Sequence, residues 1–558
     1  MATSSATQPT DRPPRWLWLL PGTIAALRAL PWIATYASDP GAGSALLHVG
    51  YIPKDLLQYV AFARESAATG ALFVADPFTT EPQDGRFALP LLALVGAVHA
   101  LAGGALTTWL ELARVPLLFA WFAALWRVLA LFVAAPRERA LACVLVAFSG
   151  GLEVLARPLG AALPVEARAE LAQATWQMNG WTSFAAAYNP LWLAGGALAL
   201  SLLALAWRTD GAAARTAAAR GAALAAGLPA LYLLHPYSAV ALGAVLLAHL
   251  LVELARGDAA RDVRTGLRAP AIAAGAAAGA LAVAALAGWQ RRDPVFATTA
   301  AAALGDQQLS PFWYPLVYGG LCVLALRGAR DWVRGAHPLR FALLAWIGAA
   351  IWLHTSSLLN GYHFAAQLHV PLCILAAPAF ARAWSDARAL RPGALALCAA
   401  TLAAPVLHTA ESVVDARDGA HRVPAEYAAI ADALAARPPG NALTGPRLGN
   451  VLPAFTPHRV YVGHHFLTPR YRERSEQVAD WTTRDDDAAR DALLALVRDA
   501  RIRYAVLPTG RAAPGIATLA ARAVHAQEIG RYTVLELACE ACEGNARGEE
   551  EARGAGGE

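Results

Sequence analysis

Long apolar runs dominate this chain and leave little choice of fold. They lie near residues 16–36, 87–104, 108–135, 138–156, 190–207, 217–235, 237–255, 268–288, 311–326, 339–356, 364–384 and 393–410, and arginine-bearing loops separate them. A helix needs about 20 consecutive apolar residues to cross the hydrocarbon core of a bilayer. Backbone immersed in lipid must satisfy its own hydrogen bonds, so runs of this length form helices. Composition agrees: 57% of the chain is hydrophobic and 16% charged, where a soluble domain carries about 25% charge. The chain is therefore expected to be a polytopic α-helical membrane protein. Its formal net charge of +5 is spread over membrane-flanking loops. No basic patch forms, so nucleic acid is not an expected partner.

Loop charge orients the helices, because arginine and lysine concentrate on the cytoplasmic side. If every run crossed, Arg137, Arg139, Arg256, Arg261, Arg264 and Arg268 would lie outside. Treating 87–104 as a surface or re-entrant helix removes the conflict. That run is short, has Pro90 near its start, carries His99 and ends in Gly103-Gly104. About eleven transmembrane helices remain, with the N-terminus cytoplasmic. Loops 38–86, 157–189, 289–310 and 357–363 have few or balanced charges and face outward, as does the region beyond residue 410. The setting expected is a bacterial inner membrane.

Residues 1–14 are polar and rich in Pro, Thr and Ser, and read as a disordered cytoplasmic arm. The run 16–36 is too long for a signal peptide and lacks a small-residue cleavage site, so it reads as a retained first helix. The transmembrane domain covers 15–410, with a long first outer loop over 38–107 that carries juxtamembrane helices. Leu56 to Ala68 has helical spacing, whereas 75–86 is turn-rich and acidic, with too few apolar residues for a core. After residue 410 the pattern changes. Helical stretches at Pro424 to Arg437, 485–500 and 514–525 alternate with strands at Asn441 to Thr444, Arg459 to Gly463, Tyr504 to Leu507 and Thr533 to Leu537. This alternation predicts a small extracytoplasmic α/β domain over 411–538. Residues 539–558 are Gly/Glu-rich and read as a disordered tail.

Polar residues gather at the outer ends of the helices. Asp55 follows Lys54, the only lysine in the chain. Asp55 can favour a helix dipole or serve as a general base toward an acceptor hydroxyl. Glu153 lies near the outer end of the run 138–156, where a carboxylate is costly unless it faces protein or water. It can pair with Arg157 at i+4. Glu111 and Arg114, at i and i+3, suit a structural ion pair. Tyr188-Asn189-Pro190, His235-Pro236-Tyr237 and Asn360-Gly361-Tyr362-His363 with Gln367 form further outer-end groups. His235 also suits an ordinary turn. Lys54, Arg157, Arg291, Arg292, His235 and His363 are candidate cations for a phosphate, arginine being suited to bidentate contact. Arg291-Arg292-Asp293 equally suits a solvated loop with a local ion pair.

Metal signatures are weak. Asp485-Asp486-Asp487 precedes a helical pattern and is explained by capping. Cys539 and Cys542 have CxxC spacing without a second pair, and His464-His465 is too little for a site. An outward location permits a disulfide between the two cysteines.

The layout resembles the glycosyltransferase C superfamily of polytopic transferases, which includes protein O-mannosyltransferases and aminoarabinose transferases. Lys54-Asp55-Leu56-Leu57-Gln58-Tyr59 is similar to the family's acidic residue followed by a Tyr-bearing amphipathic helix. Leu89-Pro90-Leu91-Leu92 is similar to its juxtamembrane helix, and Glu111-Leu112-Ala113-Arg114 to its Arg-bearing second helix. Glu153 stands where such enzymes often carry a second outer acid. Phe364 to Leu372 is similar to the late helix after the family's outer loop. The resemblance covers roughly 15–410. It implies an inverting transfer from a polyprenyl-phosphate sugar to a hydroxyl of a glycan, lipid or protein acceptor. Asp55 and Glu153 would be catalytic. Lys54, Tyr59, Arg114, Arg157, His235, Tyr237, Arg291, Arg292, His363 and Gln367 would bind substrate. The first outer loop has no Asp-x-Asp pair and no Asp-Glu doublet, so a divalent cofactor is left open. A flippase of lipid-linked glycans and a non-catalytic envelope assembly protein are the rival expectations. Persuasive internal repeats and midplane charges, both usual in transporters, are not seen in the sequence.

Overall fold

The computed structural model describes residues 13–38, 53–150, 164, 189–208, 214–255, 270–302, 314, 318–335, 337, 339–356, 362–386, 391–417, 422–484, 486–509 and 514–538. Among them, seven helices are long and apolar enough to cross a membrane: Arg15–Thr35, Leu106–Phe132, Pro190–Trp207, Arg215–Leu234, Pro236–Ala255, Pro270–Gln290 and Ala366–Ser385. Pro90–Ala102 and Arg340–Thr355 are shorter apolar helices. The chain is a multi-pass α-helical membrane protein with a small C-terminal sheet region. Its residues cluster into two compact units. One comprises Met1–Ile33, Leu110–Gly288 and Leu304–Asp415; the other comprises Ala34–Trp109, Trp289–Ala303 and Ala416–Glu558.

In the first unit, proline sets many helix starts, as at Pro136, Pro190, Pro236 and Pro270. The lost N–H costs nothing there, because first-turn donors have no partner within the helix. Asn189 adds a cap: its Oδ1 accepts the N–H groups of Leu191 at 2.9 Å and Trp192 at 3.4 Å. Glycines let helices touch backbone to backbone. A Cβ on Gly275 would fall on the carbonyl oxygen of Gly221, and one on Gly221 on that of Ala271. Gly279, four residues on, meets the Leu224 carbonyl and the Leu228 side chain. This is the small-xxx-small packing that replaces hydrophobic driving force within lipid. Gly328 meets the Leu375 backbone in the same way.

The second unit gathers three distant stretches. The helix Pro53–Thr69 packs on Pro90–Ala102, where a Cβ on Gly96 would fall on the Ala63 carbonyl. Between them β1 (Phe73–Val74) pairs antiparallel with β2 (Phe87–Ala88). The C-terminal part holds β3 (Asn441–Thr444), β4 (Arg459–Val460), β5 (Ile502–Pro508), β6 (Ala523–Ile529) and β7 (Tyr532–Leu537). They form one sheet in the order β4-β3-β5-β7-β6. β3 is parallel to β4 and β5, while β7 runs antiparallel to β5 and β6. Leu443, Val462, Ile502, Leu507 and Leu535 lie in its core.

Several expectations need correction. The run 138–156 is not one helix: Pro136–Phe148 ends at Ser149, whose ψ of 132° is extended. The helix Gly320–Arg334 runs past residue 326, so Arg327, Arg330 and Arg334 lie on a helix rather than in a loop. Residues 75–86 are not excluded from a core, since Asp76, Phe78 and Thr79 are fully buried. The helical pattern 514–525 stops at Ala520, and β6 begins at Ala523. Helices Pro446–Phe455 and Tyr471–Thr483 had no counterpart in the expected pattern.

The glycine contact sets a test. Gly275→Leu should destabilise the protein by about 1–3 kcal/mol through overpacking, read as a lower melting temperature in detergent. Gly243→Leu should shift it by less, because nothing lies within 4 Å of a Cβ at Gly243.

Candidate functional site

Within the helical unit, the helices containing Trp121, Trp192, Ser238 and Trp346 enclose a cleft of about 700 Å³ together with its mouth. Ala366, Gln367 and Val370 complete one wall. On the helix Pro190–Trp207 the lining runs from Trp192 to Leu203. Eleven rises of about 1.5 Å make the slot about 16 Å deep, roughly half of a hydrocarbon core. Ser238 and Gln367 are polar and lie toward the Trp192 end; Leu200, Leu203, Leu242 and Val245 make an apolar shaft.

Aromatic rings and imidazoles gather at the polar end. His235 lies 4.9 Å from the Trp192 ring and 5.8 Å from Tyr237. Tyr237 stacks on His363 at 4.0 Å, and His363 is 6.2 Å from Trp192. His235 caps the helix Pro236–Ala255. Its Nδ1 accepts the Ser238 N–H at 3.3 Å and lies 2.8 Å from the Ser238 hydroxyl. A ring nitrogen that accepts an N–H carries no proton, so His235 presents Nε2–H as its donor. At the other end Trp346 meets Trp207 at 5.9 Å, and Phe132 meets Trp207 edge-on at 5.5 Å. The Trp207 indole donates to His249 Nδ1 at 3.1 Å, and His249 Nε2 lies 3.6 Å from Glu253 Oε1.

Of the residues singled out from sequence, Gln367 thus lines the slot, while His235, Tyr237 and His363 cluster beside Trp192, which also lines it. Arg114 is buried and bonded to Glu111 at 2.6 Å, the pairing expected from their spacing. In the second unit, Lys54 and Asp55 occupy the first turn of the helix Pro53–Thr69, and Tyr59 on that helix is buried. Arg291 and Arg292 are exposed. The local ion pair expected for Asp293 is replaced by capping: Oδ1 accepts the N–H groups of Val295 at 2.9 Å and Phe296 at 3.3 Å, and Oδ2 accepts that of Asp84 at 2.9 Å. Glu153 and Arg157 lie outside the described residues, as do Cys539 and Cys542. Among the described residues no group of three His, Cys, Asp or Glu side chains could hold a metal ion.

Sequence reasoning missed Trp121, Trp192, Trp346 and Ser238. The tryptophans sit in apolar runs and carry no distinguishing pattern. Ser238 did leave a signal: His-Pro-Tyr-Ser places a side-chain acceptor three residues before a helical N–H, which is cap spacing.

Sequence reasoning also missed Asp76, in the second unit. Asp76 is fully buried. Its Oδ1 accepts the Phe78 N–H at 2.8 Å, and its Oδ2 has no hydrogen-bond partner among the described residues. Burial pushes this carboxyl up to about 8, opposed by the Phe78 N–H and by Arg459 and assisted by Asp293. A carboxyl raised on folding stabilises fully below its unfolded value near 4, and that contribution is lost as pH rises through about 8. Stability should therefore fall between pH 5 and pH 8.5, by up to about 1.4 kcal/mol per pH unit. Asp76→Asn should flatten this dependence in melting curves.

No family model matches the chain, and no curated protein matches it. Solved structures do. The arabinofuranosyltransferase AftD from Mycobacteria superposes with a TM-score of 0.50 at 15% identity, over 94% of this chain and 40% of that one. This chain therefore spans less than half the length of AftD. The oligosaccharyltransferase AglB from Archaeoglobus fulgidus, solved with an inhibitory peptide and a dolichol-phosphate, gives 0.47 at 14% identity, over 88% of this chain and 69% of that one. With its apolar helices and C-terminal sheet, the chain has a polytopic helical fold similar to that of AftD.

Proposed function

We propose that this protein is a membrane glycosyltransferase that takes a sugar from a polyprenyl-phosphate donor and passes it to a hydroxyl on the outer face of a bacterial inner membrane. The slot carries this reading. An apolar shaft among membrane-spanning helices suits an isoprenoid chain, and the rim of His235, Tyr237, His363 and Gln367 suits its phosphate and sugar. Aromatic faces such as Trp192 and Tyr237 pack against apolar ligand surface while their polar edges bind water or ligand. AftD and AglB, by their names, are glycosyltransferases.

The leaving phosphate gains charge, so preorganised donors at the rim lower the barrier. His235 contributes an N–H held by Ser238. A hydroxyl nucleophile needs its proton removed, and Asp55 is assigned that role from its place in the sequence. Glu153 is assigned to positioning the acceptor or sugar. Attack opposite the leaving phosphate makes the transfer inverting. The C-terminal region is assigned to the outer face. The acceptor is a glycan, lipid or protein hydroxyl. Lys54, Tyr59, Arg114, Arg157, Arg291 and Arg292 complete the proposed substrate contacts, with Arg114 acting together with Glu111.

Purified protein in lipid nanodiscs, given labelled polyprenyl-phosphate sugars and an envelope acceptor extract, should form labelled product. Asp55→Asn should lower turnover by about 100-fold or more while leaving binding of the lipid phosphate unchanged. Full turnover in Asp55→Asn would remove Asp55 as the base. No transfer from any donor sugar would remove the enzyme reading.

A further inference from the structure

The slot ends in an aromatic floor, and the floor is pinned. Trp346 closes the lining, Trp207 backs it at 5.9 Å, and Phe132 backs Trp207. Trp207 is fully buried and cannot turn without breaking its bond to His249, which is itself fully buried beside Glu253. His249 Nδ1 accepts from the indole, which places the ring proton on Nε2, toward Glu253. Two ionisable groups buried within a membrane-spanning helix are costly and are usually kept for a purpose. Here they hold a tryptophan in one orientation behind the slot.

We infer that Trp346, backed by the Trp207–His249–Glu253 group, is a length-determining residue: the slot binds only the isoprene units nearest the phosphate and is indifferent to the rest of the chain. This rests on the reading of the slot as a lipid-phosphate site. The shaft extends about 16 Å from Trp192 to Leu203. A fully extended farnesyl tail is about that long, so further units gain no contact with the shaft. Apolar burial is what would otherwise raise affinity with each added unit. A chain longer than the shaft has to leave it for the surrounding lipid. The floor thus selects by the first few units and tolerates any length beyond them.

The test measures binding of geranyl, farnesyl, geranylgeranyl and undecaprenyl phosphate by native mass spectrometry in detergent micelles. Affinity should rise from geranyl to farnesyl and then level off. Trp346→Ala should add a further gain of about tenfold at geranylgeranyl, while Trp346→Phe should behave as the parent. Leu203→Trp, which fills the shaft above the floor, should make affinity level off at geranyl. A steady rise with length in the parent, or an identical plateau in Trp346→Ala and Leu203→Trp, would overturn the floor while leaving the slot a lipid site. Failure of all four phosphates to bind would instead overturn the lipid reading and the floor with it.

Discussion

Hydrocarbon offers no hydrogen bonds, and the helical unit is arranged around that constraint. Several of its buried polar side chains are joined across helices. Ser149 on one segment lies 2.8 Å from His369 Nε2 on another. Tyr314 meets His354 Nδ1 at 2.5 Å, and Trp207 reaches His249. Each pair ties two distant stretches at a defined depth, because separation would leave a polar atom facing lipid. The His235–Ser238 cap is the local version of the same requirement, at the turn between two spans. Between these fixed points the helices carry leucine, valine and alanine, and the slot is the space that the fixed points leave open.

Close backbone contact supplies the rest of the rigidity. Where Gly221, Gly275 and Gly279 meet, there is no side chain to rearrange. In the same unit, the cleft wall has room because bulk is placed unevenly. A Cβ on Gly196 would lie 2.8 Å from Trp121 Nε1, so the tryptophan fills the space that glycine vacates. The slot is thus built by exchanging volume between neighbouring helices.

That arrangement explains what the sequence could disclose. Long apolar runs follow from composition, which is local, so the polytopic architecture was legible. Helical i,i+3 spacing made the Glu111–Arg114 pair legible and cap spacing the Asp486 cap; Asp486 Oδ1 accepts the Ala489 N–H at 2.8 Å. His235, Tyr237, His363 and Gln367 were legible because polar residues at the ends of apolar runs stand out. Trp346 was not, since its neighbour Trp207 is distant in sequence. Asp76 and Phe78 were misjudged for a related reason. A short polar stretch looks solvated until its partner appears, and here Thr468 donates to the Phe78 carbonyl from 390 residues away.

The second unit also bears on how the chain is made. Arg474 bonds Thr79 and the Tyr461 carbonyl at 3.3 and 3.1 Å and pairs with Glu81. Asp293 receives Asp84, and Thr468 holds Phe78. The stretch 73–88 therefore leaves the ribosome early, yet its partners at 461–474 are synthesised near the end. Loop-closure entropy rises only slowly with length, so equilibrium stability suffers little from this separation. Timing is another matter, because contacts of such long range form late. For most of synthesis the residues around Asp76 lack their covering, so this unit is the last to be sealed. A chain truncated before residue 461 would keep its membrane helices and still lack the partners that cover the stretch 73–88.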